Sequence, residues 1–312
     1  MDAPSCSICK HETARVHTFD VPDLVDLYHR QFSIDIRSEF GNVLELHLNR
    51  CPTCDLAFFS PPLTGSEQFY ESLERKPWYY LEDKAEFATA RRHLRPADHI
   101  LDVGCGSGAF AKGHPAENYT GLEYTPAAVQ MARARNLTVF QQGIEPYAAV
   151  NPSTYDAVCA LQVLEHVADQ RLFIQACIDV CRPGGKIIFS TPNSDAFITA
   201  IKNCMLNLPP HHMGWFSRRL WLNLPNYFPM RIIEIVDEKL EPVHYQLYAK
   251  TLVQASIEYF LQIRSKKYID RTFRNRIIGK VSGLGSRLLA HGLADARLQP
   301  KGQSITAIYE KL

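Results

Sequence analysis

The sequence predicts an α/β protein: a doubly wound, mostly parallel sheet of seven strands, with a small zinc-binding N-terminal unit and a helical insertion before the last strand. Three features predict it. Short apolar runs alternate with helix-patterned segments from residue 99 onward, HILDV at 99–103 opens into the glycine turn GCGSG, and two CxxC pairs precede both. Strand–helix alternation with short connections gives parallel strands covered on both faces. Ligands of such sheets lie beyond the carboxyl ends of the strands.

Residues 1–62 form the first unit, closed by the Pro- and Gly-punctuated SPPLTG. Residues 63–98 read as a helical lead-in or lid, with apolar positions at helical spacing in EQFYESLERK and LEDKAEFATARRHL, and Pro96 ends it. The main domain, 99–243 with 303–312, is expected as strand 99–103, helix near 108–113, strand 119–123, helix 126–135 and strand 137–140, then strand 155–161, helix 168–182, strand 186–190 and strand 231–242. Residues 203–224 give a loop leading into a helix. The insertion, 244–302, is helical and rich in bulky apolar and basic residues, and SITAIYEKL is expected to close the sheet at its edge.

A formal net charge of +1, from 34 basic and 33 acidic residues, leaves no global field to attract nucleic acid. No stretch reaches the roughly 20 apolar residues of a membrane span, and MDAPSCSICKHE lacks the apolar core of a secretion signal. A cytoplasmic protein acting on a small molecule is expected.

The glycine turn carries the functional signal. Gly104, Gly106 and Gly108 let the backbone bend sharply and approach a ligand with no side chain in the way. Glu123, 21 positions beyond Asp102 at the end of the next apolar run, can accept both hydroxyls of a ribose cis-diol. About 20 residues is the spacing one βαβ step requires. Gly104, Gly106 and Ala109 also satisfy a looser dinucleotide pattern, which keeps a dehydrogenase open at this point.

Together with YDAVCALQVLEHVAD at 155–169 and RPGGKIIFSTPN at 182–193, these segments resemble the class I S-adenosylmethionine-dependent methyltransferases, over roughly residues 75–240 and the final strand. The resemblance implies a Rossmann-like fold and S-adenosylmethionine as cofactor. It puts Asp102, Gly104, Gly106 and Gly108 under the methionine part and Glu123 on the ribose. Gln142 and Ile144 would flank the adenine, with Gln162 at the end of the fourth strand. The usual acid after the third-strand glycine is absent, since Ile144 follows Gly143, so backbone contacts to the adenine are expected. Tyr79 and Tyr80, with Trp78, fall where the chain folds back over the methionine end, and Tyr80 is expected at the cofactor.

Cys6 with Cys9 and Cys51 with Cys54 make two pairs whose four thiolates suit tetrahedral zinc. The 41 residues between the pairs include a helical insert, VPDLVDLYHRQF. A structural zinc is expected. CPTCDLAFFSPP resembles the zinc-binding start of bacterial methyltransferases of glycan and natural-product pathways, which implies a sugar nucleotide or glycan precursor as acceptor. Of the other cysteines, Cys105 fits a small site in the turn and Cys159, Cys177 and Cys181 read as core.

Methyl transfer needs alignment of the reacting groups and, for a hydroxyl acceptor, a base. His212 and then His211, in PPHHMGWFS after the fifth strand, are the expected bases. His166, in QVLEH, is a secondary candidate. That segment offers one carboxylate, Glu165, with Gln162 in place of a second, so it is read as an ordinary turn rather than a hard-cation site. The basic and aromatic run at 264–280 suits phosphates or an anionic membrane surface. Two alternatives remain: a nucleic-acid methyltransferase reading through the zinc unit, and a non-catalytic cofactor-binding scaffold.

Overall fold

The structure, a computed structural model, describes residues 3–76, 79, 81–263, 267–293 and 300–312. Tyr80, Trp78 and residues 264–266 lie outside the described residues. The chain opens with β1 (Ala14–Asp20), α1 (Val21–Phe32), the single-turn α2 (Arg37–Phe40), β2 (Glu45–Arg50) and β3 (Ala57–Ser60). Two lead-in helices follow, α3 (Glu67–Glu74) and α4 (Ala85–Arg91). Ser66 caps α3 by accepting the Phe69 N–H.

The alternating core comprises β4 (Ile100–Val103), β5 (Tyr119–Leu122), α5 (Pro126–Ala134), β6 (Thr138–Phe140), α6 (Ile144–Val150), β7 (Tyr155–Leu161), α7 (Gln170–Val180) and β8 (Cys181–Pro192). Beyond it lie β9 (Gly214–Trp215), α8 (Arg218–Asn223), β10 (Met230–Lys239), α9 (Tyr245–Phe260), α10 (Phe273–Gly292) and β11 (Lys301–Lys311). The helix expected near 108–113 is only a 3-10 turn at Ala109–Ala111. Conversely, α6 has too few residues and too central a proline to read as a helix. It forms because Ile144, Tyr147 and Ala148 bury against the core shared with α7.

The large sheet runs β10-β11-β8-β7-β4-β5-β6. Pairing from β8 through β6 is parallel, and β11 is antiparallel to both β8 and β10. The last strand is therefore not the edge, as the sequence had suggested. Ile305, Ala307, Ile308 and Tyr309 are all fully buried, so both faces of β11 are covered, whereas β10 exposes Ile232 and Ile233 and takes the edge. A continuous apolar run such as SITAIY marks an interior strand.

The small antiparallel sheet runs β1-β2-β3-β9. Its fourth strand comes from the segment after β8, beyond the 1–62 boundary read from sequence, and pairs Ala57 with Trp215 and Phe58 with Gly214. That pairing covers a β3 edge that would otherwise be open. One core cluster joins Cys6, Ile8, Cys51 and Cys54 to Phe216, Trp221 and the α7 face of the large sheet. The cysteine unit is thus packed onto the large-sheet domain rather than tethered to it. Among the described residues, no helix is long and apolar enough to cross a membrane.

Candidate functional site

A cavity of about 930 Å³ opens beyond the carboxyl ends of β4, β5 and β7 and is roofed by residues of the lead-in and of the 198–212 segment. That is where a doubly wound sheet places its ligand.

The glycine turn forms one wall. Gly104, Gly106 and Gly108 have φ of 72°, 52° and 79°, the left-handed region that favours glycine. A Cβ at Gly104 would stand 2.5 Å from Val163 Cγ2. Beneath the turn, Asp102 is 3% exposed and accepts the Tyr119 hydroxyl at 2.7 Å. Burial pushes its carboxyl up to about 7, against the lowering effect of that hydrogen bond.

Glu123 stands across the crevice. Its Oε2 accepts the Gly106 N–H at 2.9 Å, and its Oε1 accepts the N–H groups of Tyr124 at 2.7 Å and Thr125 at 2.9 Å. Acid and turn are thereby a single rigid unit. Gln142 and Ile144 also line the cavity, and a Cβ on the intervening Gly143 would meet the Tyr124 hydroxyl at 2.0 Å. Gln162 adopts φ of 62° at the end of β7 and donates its amide to Ser190 Oγ at 3.1 Å. Every described cofactor residue named from sequence therefore borders or supports one crevice.

The opposite end of the cavity gathers His166, His211 and His212. The main-chain N–H groups of His211 and His212 both donate to Leu208 O, so a tight turn aims the two adjacent rings the same way. The rings stack at 4.6 Å with 19° between planes, and His166 lies 4.5 Å and 4.9 Å from them. The Met213 N–H, donated to Glu165 O, ties this loop to the LEH turn. Burial lowers the His166 pKa to about 4 and holds His211 and His212 well below the usual histidine range. Burial also raises Glu165 to about 8. The 3.8 Å approach of Glu165 Oε1 to His166 Nε2 is therefore not an ion pair.

Sequence reasoning missed several residues of this wall. Tyr70, on α3, sets its ring 5.9 Å from His166 and 6.1 Å from His211, and Asn207 faces His212. Glu86, 4% exposed and raised by burial to about 7, sits on α4 above the crevice. Nothing in their local pattern distinguishes them from helix or loop residues; only the fold brings them to the cavity.

Beside the start of α7, Cys6, Cys9, Cys51 and Cys54 converge, with sulfur atoms 3.5 Å (Cys6–Cys54) and 3.3 Å (Cys9–Cys51) apart. All are free thiols, and three are fully buried. Tetrahedral zinc–sulfur bonds of ~2.3 Å place sulfurs about 3.8 Å apart, so the donor set suits zinc with little movement.

The family model described as a methyltransferase domain matches residues 73–252. The ubiquinone biosynthesis O-methyltransferase of Vibrio cholerae is 39% identical over 102 residues, covering 30% of this chain and 42% of the relative. That of Idiomarina loihiensis is 33% identical over 148 residues, covering 44% and 59%. The chain spans about half the length of the curated relatives it matches. A solved SAM-dependent methyltransferase of Thermotoga maritima aligns with a TM-score of 0.49 and 16% identity over 79% of this chain and 97% of that one.

Proposed function

The chain belongs to the methyltransferase-domain family, and on that premise we propose that it moves a methyl group from S-adenosylmethionine to a hydroxyl oxygen of a small acceptor. The carrying observation is the convergence of Asp102, the 104–108 turn and Glu123 on one crevice.

S-adenosylmethionine would supply an activated methyl on a sulfonium. The turn offers open backbone to the methionine portion at Gly104 and Gly106, over the buried Asp102, while Gly108 packs against Leu137 and Ala132. Glu123 has three of its roughly four acceptor positions engaged by N–H groups and keeps capacity for a ribose hydroxyl. Gln142, Ile144 and Gln162 complete the wall, and Tyr80 is assigned to the same cofactor from sequence alone. The fit is supported by the Cβ positions at Gly104 and Gly143, where any side chain would invade the crevice or its wall.

Two observations support an uncharged acceptor hydroxyl. The curated relatives carry O-methylation in their names. Among the described residues the cavity wall has Lys84 and Lys239 and no arginine, against Glu67, Glu74, Glu123, Asp169 and Glu241. A nucleotide diphosphate would meet like charge there. The sugar-nucleotide or glycan acceptor expected from the cysteine-rich start thus loses its support, because similarity in the zinc unit bears on packing and not on the pocket. Tyr70, Tyr79, Ile198, Ile201, Leu206 and Leu247 offer an apolar bed beside the three histidines, which stand where the acceptor proton would leave.

Structural zinc on Cys6, Cys9, Cys51 and Cys54 belongs to the same reading, supported by the converging thiols. So does peripheral contact of 264–280 with an anionic surface. Its support is Phe273, 76% exposed and flanked by exposed Lys267, Arg274 and Arg276.

Calorimetric titration tests the central proposal: S-adenosylmethionine and its demethylated product should bind one site each, and methyl transfer from labelled cofactor should be found in a screen of hydroxylated aromatic acceptors. Absence of both binding events would remove it.

A further inference from the structure

We propose that the cysteine unit is a clasp for the acceptor wall of the cavity. Each of its two CxxC knuckles, Cys6–Cys9 and Cys51–Cys54, braces one of the two segments that carry the histidines. Closing the four thiolates on zinc then fixes how those segments stand to one another, and residues 1–62 position the acceptor without touching the cofactor side of the crevice.

The first knuckle reaches the turn of His166. Ser7 Oγ–H donates to Gln170 Oε1 at 2.8 Å, and Gln170 Nε2–H donates to Val167 O at 2.7 Å. Gln170 is 1% exposed, so this relay is shielded from water. The Arg171 guanidinium donates to Ile8 O, also in the knuckle. Ser7 and Ile8 thus hold the first turn of α7, and Val167 directly ends the 3-10 turn of Leu164, Glu165 and His166.

The second knuckle reaches His211 and His212. It runs straight into β3, where Ala57 and Phe58 pair with Trp215 and Gly214 and the Phe59 N–H donates to Met213 O at 3.0 Å. Asp55, inside the knuckle, accepts the Ser217 hydroxyl at 2.5 Å, so both ends of β9 are held. Trp215 Nε1–H donates to Asn207 O at 2.8 Å, and the Asn207 side chain, 4% exposed, accepts His212 Nδ1–H at 3.1 Å. Strand pairing and buried hydrogen bonds therefore run without a gap from Cys54 to the His212 ring.

The two braces meet at the wall. The Met213 N–H donates to Glu165 O and His166 Nδ1–H donates to His211 O, both at 2.6 Å. At the other end, the close sulfur pairs, Cys6 with Cys54 and Cys9 with Cys51, each join one knuckle to the other. Four thiolates crowded together repel unless a cation holds them, so loss of zinc parts the knuckles and each draws on its own histidine segment. The cofactor side is tied differently: Asp102 is held by Tyr119, and Glu123 by Gly106, Tyr124 and Thr125, none of them in the cysteine unit. That the braced wall receives the methyl acceptor rests on the methyltransferase reading above.

The test is hydrogen exchange read by mass spectrometry on the full-length protein, loaded with Zn²⁺, stripped by a chelator and reloaded. Stripping should expose the amides of 164–167 and 205–215, leave those of 100–106 and 119–125 protected, and be reversed by Zn²⁺. Affinity for S-adenosylmethionine should be unchanged, while kcat/KM for the acceptor should fall by up to about 100-fold, the cost of a small misplacement. Two mild variants separate the arms with zinc retained: Ser7→Ala should loosen 164–167, and Trp215→Phe, which keeps a ring but loses the bond to Asn207, should loosen 205–212. A protein that takes up no zinc, exposure confined to residues 1–62, exposure spread evenly over the chain, or both variants protected like the wild type would overturn the clasp. The expected exchange pattern in a protein that does not bind S-adenosylmethionine would remove the methyltransferase reading and leave the clasp standing.

Discussion

The Tyr119 hydroxyl donates to Asp102 Oδ2 at 2.7 Å between two neighbouring strands of the buried sheet. The bond favours the ionised carboxylate, yet burial outweighs it, and the carboxyl is raised to about 7. Glu86, above the same crevice, is raised by burial to about 7 as well.

Both groups hold a proton more tightly in the folded protein than in the unfolded chain, where carboxyls titrate near ~4. Their stabilising contribution is therefore complete below about pH 4 and is lost as pH rises through about 7. In the unliganded protein, Asp102→Asn and Glu86→Gln should each flatten the fall of stability over that window, measured as the urea midpoint against pH. Slopes identical to the wild type would disprove the assignment.

Gly104→Ala should destabilise by about 1–3 kcal/mol, since alanine at a φ of 72° is strained and its methyl would strike Val163. Chemical denaturation measures the loss, and S-adenosylmethionine affinity should fall with it. An unchanged midpoint would mean the turn is more pliable than its dihedrals state.

Glu123→Gln exchanges a charged acceptor for a neutral amide at the Gly106, Tyr124 and Thr125 N–H groups. One charge-assisted hydrogen bond is worth about 1.5–3 kcal/mol, so affinity for the cofactor should drop roughly 10- to 100-fold in a calorimetric titration. The fold should be preserved.

Chelation of the zinc proposed for the cysteine site should loosen more than residues 1–62. Cys6, Cys51 and Cys54 share a core with the fully buried Trp221, so chelation at neutral pH should shift tryptophan fluorescence. It should also lower Tm by about 2–4 °C for each kcal/mol of ligation lost. A two-step unfolding curve with an unaltered second step would instead show the unit to be independent.

The wild type should sediment with phosphatidylglycerol vesicles at low salt, and Phe273→Glu should abolish that association while cofactor binding persists. Equal sedimentation of both proteins would exclude 264–280 as the contact.

Local pattern carried much of this protein. Glycines at 104, 106 and 108 are legible because only that residue enters the left-handed region freely, and Glu123 is legible because one βαβ step has a fixed length. The CxxC spacing likewise brings two thiols to one point, and 41 intervening residues did not prevent the pairs from meeting. Strand order and the histidine cluster were different matters. Periodicity reports which face of an element is apolar but not which neighbour covers it, so β11 was expected at an edge and lies inside. His166 and His211 are 45 residues apart, and no pattern links them. The meeting of these rings and the loan of β9 to the small sheet arise from long-range packing, which decides the neighbours of each element once the chain has closed on itself.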